Sequence, residues 1–305
     1  MTPIQQLMLG TGVAKKTYID DVFSTHLYTG NATARSINTG VDMTEGGLVW
    51  IKSRSNARAN TLFDTVRGAN KYLLSDHNHA ETTNLTDMLT AFNNNGFSLG
   101  VDASSDNVNR NTYTQASWSF RRASGFFDVV TYTGNGTAGR QIAHSLDSVP
   151  GMIMVKRTSG ASHWAIFHRG TDATAPEDYW MTLNEDYARQ DQPHWNDTKP
   201  TSTHFTVGND YEVNANNETY VAYLFGGGES AAATARSVDF DGSGDYLNTT
   251  SSSSDFTMGT GDFTVECWVK KDNISNSQGI FQISSTSGGL EGDPNYASTI
   301  AAAYG

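Results

Sequence analysis

The sequence has little of what a disulfide-stabilised, membrane-spanning or nucleic-acid-binding protein requires. It contains one cysteine, Cys267, so no disulfide can form within the chain. No stretch approaches the roughly 18 apolar residues of a membrane span, and no basic region followed by a long apolar run opens the chain. The formal net charge of −12 would repel nucleic-acid phosphates. We therefore expect a protein that is made in a cytoplasm, does not insert into a membrane and does not bind nucleic acid.

What the sequence does contain favours β-structure. Hydrophobic residues make up 37% of the chain and aromatic residues 11%, enough to fill several cores, whereas charged residues make up only 17%. Gly, Ser, Thr, Asn and Asp dominate the remainder. Glycine supplies positive φ and the short polar side chains bond to turn backbones, so this composition is typical of strands joined by many turns.

The most informative feature is an internal repeat. The tetrapeptide Tyr-Thr-Gly-Asn at 28–31 recurs at 132–135, an offset of 132 − 28 = 104 residues. Four further pairs of segments follow in the same order: 48–52 with 152–156, 62–63 with 166–167, 96–100 with 204–208, and 118–120 with 223–225. These segments are short, rich in β-branched and aromatic residues and bounded by turn formers, as strands are. We predict two β-sandwich repeats of immunoglobulin-like size, 28–123 and 124–228.

Individual segments refine this prediction. The run 152–156 is continuously apolar up to its lysine, which indicates a strand buried on both faces. Segment 83–92 has Leu85, Met88, Leu89 and Phe92 at helical spacing and is predicted to be one short helix. The other expected strand positions are 47–52, 127–132, Val207, Val213 and 220–225.

A third domain is expected after a short linker. The Gly-rich and Ala-rich stretch ending in the linker 229–235 is typical of a flexible connection. Beyond it, FDGSGDYL at 240–247 and FTVECWVK at 263–270 resemble the opening of laminin-G-like, concanavalin-A-like jelly rolls. Only 305 − 236 + 1 = 70 residues remain, about five strands where a jelly roll has about eight. We predict a partial jelly-roll at 236–305, truncated or else completed by a partner.

The two repeats resemble a module of marine and cyanobacterial phage structural proteins. The resemblance lies in four segments: MTPIQQLMLG at 1–10, LFDTVRGANKYL at 62–73, WSFRRASGFFDVVTYTG at 118–134 and VPGMIMVKR at 149–157. It implies a tail fibre or virion appendage that assembles as a homotrimer and docks to the particle through its N-terminal segment, 1–27. The attachment candidates in that segment are Pro3, Ile4, Leu7, Met8 and Leu9.

Two groups of residues could hold a metal ion, although we expect none to be bound. His77 and His79 form the only His-x-His pair, and three chains around an axis would bring six imidazole nitrogens together. Their neighbours are Asp, Asn and Glu, which favours a solvated loop. Asp239, Asp241 and Asp245 surround a Gly-Ser-Gly turn and could bind calcium, but turn formation alone accounts for them.

Catalysis is not predicted. The second repeat contains His144, His163, His168, His194 and His204 together with Asp172, Glu177, Asp178 and Asp186, but no catalytic motif fixes their spacing. Cys267 alternates with Val265 and Val269, which indicates a small core residue rather than a nucleophile. We expect no enzyme activity and no cofactor.

Ligand contact is assigned to tryptophans. Trp50, Trp164, Trp180 and Trp195 could stack on sugars if they were exposed. Trp50 lies in a predicted strand and is assigned to the core, whereas Trp180 and Trp195 have polar neighbours and are the preferred ligand-binding candidates. The predicted function is a virion structural subunit that links the particle to a host-surface glycan. The alternatives are a virion-borne glycan depolymerase and a purely architectural head, neck or baseplate decoration.

Overall fold

The computed structural model describes residues 17–83, 87–102 and 108–227, together with two short strands at 281–282 and 299–300. The chain divides into two compact units, Met1–Ser237 and Val238–Gly305. In the second unit only β18 (Phe281–Gln282) and β19 (Thr299–Ile300) are described, and they pair antiparallel. The fold below is therefore that of the first unit.

In the described residues of the first unit, strands account for nearly all regular structure, so the predicted all-β class is confirmed. A short helix, α1, spans Ile19–Val22, and 3-10 helices span Met43–Glu45, Pro176–Asp178 and Pro193–Trp195. The strands of the first repeat are β1 (Phe23–Thr29), β2 (Arg35–Asn38), β3 (Gly47–Ser53), β4 (Thr61–Asp64), β5 (Lys71–Leu74), β6 (Thr82–Thr83), β7 (Leu89–Asn93), β8 (Gly96–Leu99) and β9 (Thr114–Arg121). Those of the second are β10 (Phe127–Thr133), β11 (Arg140–Ala143), β12 (Pro150–Arg157), β13 (Ala165–His168), β14 (Tyr179–Thr182), β15 (Gln190–Asp191), β16 (His204–Val207) and β17 (Thr219–Gly226).

The two repeats have the same topology. In the first, a six-stranded sheet in the order β1-β9-β3-β4-β5-β6 faces a small sheet, β2-β8-β7. In the second, the order β10-β17-β12-β13-β14-β15 repeats the large sheet strand for strand, and β11-β16 replaces the small one. Neighbouring strands pair antiparallel throughout. We call these sandwiches module 1 and module 2.

Matching side chains stabilise the same turn in both modules. An asparagine, Asn109 in module 1 and Asn214 in module 2, accepts a hydrogen bond from the backbone N–H of the asparagine in the Tyr-Thr-Gly-Asn turn. Each also donates to two backbone carbonyls, Asn109 to those of Thr33 and Gly100, and Asn214 to those of Thr137 and Gly208. A Cβ on the glycine of either turn would lie 2.0 Å from a backbone carbonyl oxygen, so no other residue fits there.

In the described part of the first unit, three apolar cores alternate with the sheets. One lies inside each sandwich, and the third lies between the two large sheets, where Leu48 and Leu73 pack with Phe127, Trp164 and Tyr223. The modules are thus stacked as four layers. Successive residues of a central strand enter different cores, as Leu48 and Val49 do, because side chains alternate across a sheet. In β12, Ile153 and Val155 enter the core of module 2 and Met154 enters the core between the modules, so the prediction that 152–156 is buried on both faces is confirmed.

A buried polar network also crosses from module 1 to module 2. Arg67 Nε lies 2.5 Å from Asp64 Oδ2, and both side chains are at most 3% exposed. The hydroxyl of Tyr223, from module 2, donates to Asp64 Oδ2 at 2.8 Å and accepts from Arg67 Nη2 at 3.1 Å. Burial raises the pKa of the Tyr223 hydroxyl well above its usual value, so the group stays protonated and can donate.

A buried lysine and a tryptophan add bonds across the same junction. Lys156 Nζ donates to the carbonyl oxygens of Asn78, Arg157 and Ser162 at 3.3, 3.2 and 2.9 Å. The indole N–H of Trp164 donates to the carbonyl of Leu74 at 2.9 Å. Burial lowers the pKa of Lys156 to about 8 because the charged form loses solvation.

Some sequence predictions are wrong. The predicted helix at 83–92 is absent where that segment is described: β6 ends at Thr83 and β7 spans Leu89–Asn93. Met88 and Leu89 enter the core of module 1, and Phe92 pairs with Phe97 across β7 and β8, so strand pairing overrides the helical spacing. Val213 lies in a buried turn and not in a strand.

The predicted boundary at 27/28 cuts through β1, which pairs with β9 along Phe23–Thr29. Residues 23–27 therefore belong to module 1 and not to a separate segment, whereas 123/124 falls in the turn between β9 and β10.

Several predictions lie outside the described residues. These are the attachment candidates Pro3, Ile4, Leu7, Met8 and Leu9, the linker 229–235, the calcium candidates Asp239, Asp241 and Asp245, Cys267, and all but two short strands of the expected jelly-roll. Within the described ranges, no helix has the length and apolarity to cross a membrane.

Candidate functional site

A histidine and two carboxylates meet at one end of module 2. His194 belongs to the 3-10 helix Pro193–Trp195, whereas Asp210 and Glu212 lie in the turn that follows β16. The backbone N–H of Gly208 donates to the carbonyl of His194 at 2.9 Å and joins the two segments. A Cβ at Gly208 would lie 2.0 Å from the carbonyl oxygen of Pro193, so the close approach depends on glycine.

The three side chains converge on one point. His194 Nε2 lies 2.9 Å from Glu212 Oε2 and 3.6 Å from Asp210 Oδ1. One possible ligand atom from each residue lies within 4.8 Å of those of the other two. In the described part of the chain, no other three residues among the histidines, cysteines, aspartates and glutamates come together in this way. The side chains of His194 and Glu212 are 4% exposed and that of Asp210 is 36% exposed. The cluster is therefore closed on the core side and open to solvent beside Asp210.

Neighbouring groups hold each member in place. The ring of Trp180 stacks on that of His194, with centroids 4.0 Å apart and planes 12° apart. Asp210 Oδ1 accepts from the backbone N–H of Glu212 at 2.8 Å, and the Tyr211 hydroxyl donates to Glu212 Oε1 at 3.1 Å. The pKa of Tyr211 is raised by partial burial and by these two carboxylates, which marks the negative potential of the cluster.

In the described residues of module 1, no such cluster lies at the equivalent position. There the N–H of Gly100 donates to the carbonyl of Met88, as that of Gly208 does to His194. Met88 is fully buried in the apolar core of module 1. The same backbone position thus carries a packed thioether in one module and a carboxylate-bound imidazole in the other.

The tryptophans chosen as exposed ligand platforms are buried, so that expectation is wrong. Trp195 is 2% exposed and Trp180 is 8% exposed. Trp195 packs edge-on against Phe167 at 5.9 Å, inside the core of module 2. Polar neighbours in sequence misled the assignment, since Asp191 and Asp197 are exposed while both indoles are buried. Trp164 is fully buried, and Trp50 is partly buried against the core between the modules, in keeping with its assignment to the core.

The other metal candidate stands apart from this cluster. His77 and His79 lie in an exposed loop with ring centroids 5.0 Å apart, and His77 Nδ1 lies 3.1 Å from Asp76 Oδ1. Within the described ranges they do not form a three-ligand group with any carboxylate.

The remaining histidines of module 2 are dispersed. His163 contacts Asn184 and Glu185, His168 is exposed, and His204 bonds to threonine hydroxyls. Among the described residues only His194 meets two acids, and they are not among the four considered from sequence. Aligning Gly100 with Gly208 would have placed Asp210 opposite Asp102 and directed attention to this turn.

The comparisons with known proteins yield a family without an assigned activity. A family model described as a domain of unknown function, DUF7483, matches residues 19–245. The match covers more than half of the chain, including both modules, and the chain therefore belongs to that family. No curated protein and no solved structure matches the chain.

Proposed function

We propose that the chain is a structural subunit of a bacteriophage particle, a tail fibre or appendage that links the virion to a host-surface glycan. The observation that carries the proposal is the joint between the modules. An apolar core shared by the two large sheets, with the Asp64–Arg67–Tyr223 network beside it, fuses the sandwiches into one body. A body that resists bending between its modules suits a load-bearing spacer.

Three of the four segments that resemble phage structural proteins coincide with this joint. Segment 62–73 supplies Asp64 and Arg67, 118–134 forms β9, the connecting turn and β10, and 149–157 contains β12. Leu62, Phe127 and Met154 from these three segments all enter the core between the modules. The resemblance thus follows the residues that fuse the modules, which supports a shared architectural role.

The rest of the proposal follows from the resemblance. We propose on that basis that the chain assembles as a homotrimer, contacts other virion proteins through its N-terminal segment and resides in the virion. Glycan recognition is assigned to the third domain, since the tryptophans that would have served in module 2 are buried.

The test is to find the chain on a particle. We expect mass spectrometry of gradient-purified virions from the source of the sequence to detect its peptides at a copy number that is a multiple of three. Cryo-EM density matching the four-layer body on the tail or an appendage supports the proposal. The same density on the head, neck or baseplate, without glycan binding on an array, would replace it with a decoration protein. Clearing of host polysaccharide by the purified chain would replace it with a depolymerase.

A further inference from the structure

We propose that His194, Asp210 and Glu212 of module 2 form a binding site for one divalent transition-metal ion of the zinc class, a site with no counterpart in the described residues of module 1. The inference is independent of where the protein resides. It concerns a site that joins the 3-10 helix Pro193–Trp195 to the turn after β16.

The first argument is geometric. The ligand atoms lie 2.9 and 3.6 Å from the imidazole nitrogen, so that an ion at the usual zinc–nitrogen and zinc–oxygen distances of about 2.0–2.2 Å can contact all three after small rotations. Trp180 fixes the plane of the imidazole and Tyr211 bonds to the outer oxygen of Glu212. The site is thus pre-shaped, and its exposed side at Asp210 leaves room for a water molecule as the fourth ligand.

The second argument is electrostatic. Two carboxylates face each other across a cluster that is mostly buried, and in the described residues neither forms an ion pair with a lysine or arginine. A hydrogen bond between a neutral His194 and Glu212 adds no positive charge to the cluster, and the ammonium group of Lys156 acts on Glu212 without forming an ion pair with it. A divalent cation supplies the missing charge, and buried charges are normally paired or coordinated to metals.

The third argument is the comparison between the modules. Module 1 shows that this fold accepts an apolar side chain here, since Met88 occupies the position of His194 and is fully buried. Burying a carboxylate-bound imidazole is less favourable than burying a well-packed apolar group. A ligand that binds the polar version accounts for its presence in module 2.

The donor set selects the kind of ion. Imidazole nitrogen favours Zn²⁺, Ni²⁺ and Cu²⁺ over Mg²⁺ and Ca²⁺, which prefer six or more oxygen ligands. His194 Nδ1 has no hydrogen-bond partner among the described protein groups. Because an outer acceptor for that nitrogen usually contributes about 10–100-fold to affinity, we expect binding weaker by that factor than at a fully supported zinc site.

The experiment is calorimetric titration of the full chain, freed of metal with a chelator, with zinc chloride at pH 7.5. We expect each chain to bind one zinc ion through this cluster. Calcium and magnesium should show no saturable binding there. The His194→Met variant copies the residue of module 1, so it is designed to fold, and we expect it to lose at least about 100-fold in affinity for that ion. Glu212→Gln keeps size and hydrogen bonding while removing one charge, and should weaken binding as well.

The matched control is the His77→Gln, His79→Gln double variant, which removes the exposed pair. It should keep the one-to-one binding unchanged. Free zinc at about a hundred times the dissociation constant should raise the unfolding midpoint of the wild type by about 5–10 °C and leave that of His194→Met unchanged. The proposal is overturned if His194→Met binds zinc like the wild type while folded, or if the double variant abolishes the only binding seen. It is equally overturned if the wild type binds no zinc.

Discussion

Replacing Arg67 with methionine tests whether the buried network holds the modules together. Methionine keeps most of the aliphatic length of arginine but removes the guanidinium. Asp64 then stays fully buried with its charge unpaired. The Tyr223 hydroxyl also loses the hydrogen bond of 3.1 Å that it accepts from Arg67 Nη2. The loss should therefore come from electrostatics and hydrogen bonding and not from a large cavity.

The size of the effect follows from the remaining contacts of Asp64. Breaking a buried ion pair by removing one partner costs about 3–5 kcal/mol. Asp64 would still accept from the backbone N–H groups of Val66 and of residue 67 and from the Tyr223 hydroxyl. These three bonds place the expected loss near the lower end, about 3 kcal/mol. For a unit of about 200 residues that corresponds to a fall of about 6–12 °C in the unfolding midpoint.

Urea unfolding followed by tryptophan fluorescence measures this loss, because Trp164 lies in the core between the modules. The matched control is Arg189→Met, since Arg189 pairs with Asp172 while 42% exposed and should contribute less than about 1 kcal/mol. Adding Asp64→Asn to the Arg67→Met variant should be less damaging than the sum of the two single changes. A loss below about 1 kcal/mol in Arg67→Met, or strict additivity in the double variant, would refute the assigned role of the network.

Three further predictions concern stability. Because burial lowers the pKa of Lys156 to about 8 while the unfolded side chain titrates near 10.4, its charge opposes folding fully below pH 8. The free energy of unfolding of the wild type should thus rise by up to about 3 kcal/mol relative to that of Lys156→Met as the pH rises from 8 to about 10.4. Urea unfolding of both proteins across this pH range measures the change. A free-energy difference between them that stays constant with pH would contradict the lowered pKa of Lys156. Asn214→Ala and Asn109→Ala should each cost about 2–3 kcal/mol in thermal unfolding, since each leaves buried backbone groups unpaired; a difference of more than about 1 kcal/mol between them would contradict the equivalence of the modules. Gly134→Ala should cost more than about 3 kcal/mol by the same assay, because the new Cβ would meet a backbone oxygen at 2.0 Å, and a neutral result would show that the turn can shift.

The duplication and the strands could be predicted because their signals are local or repeated. Segment 47–52 and β3, or 127–132 and β10, agree within one or two residues, since β-branched and aromatic runs bounded by turn formers specify strands directly. The helix predicted at 83–92 shows the limit of such signals. A spacing of three and four among a few apolar residues also arises in a strand and turn, as here where Met88, Leu89 and Phe92 contact the core of module 1.

The candidate site could not be predicted, because only the tertiary structure brings His194 to its two carboxylates. His194 and Glu212 are 212 − 194 = 18 residues apart, and β16 and the bond from Gly208 to His194 are what bring them to 2.9 Å. The prediction that Trp180 and Trp195 are exposed is wrong for the same reason. Whether an indole such as that of Trp195 meets solvent or a core depends on what packs over it, which polar sequence neighbours do not report.

By itself the sequence determined that this protein is built of strands, that its sandwich is duplicated and that the turn sequence Tyr-Thr-Gly-Asn recurs at equivalent positions of the two copies. Each of these properties depends on backbone preferences and side-chain alternation within a few residues. Only the tertiary structure decided that the two large sheets share a core, that Arg67 pairs with Asp64 beneath Tyr223, and that His194 meets two carboxylates. Those contacts join segments that are distant in the chain, and the way in which whole sheets pack selects them.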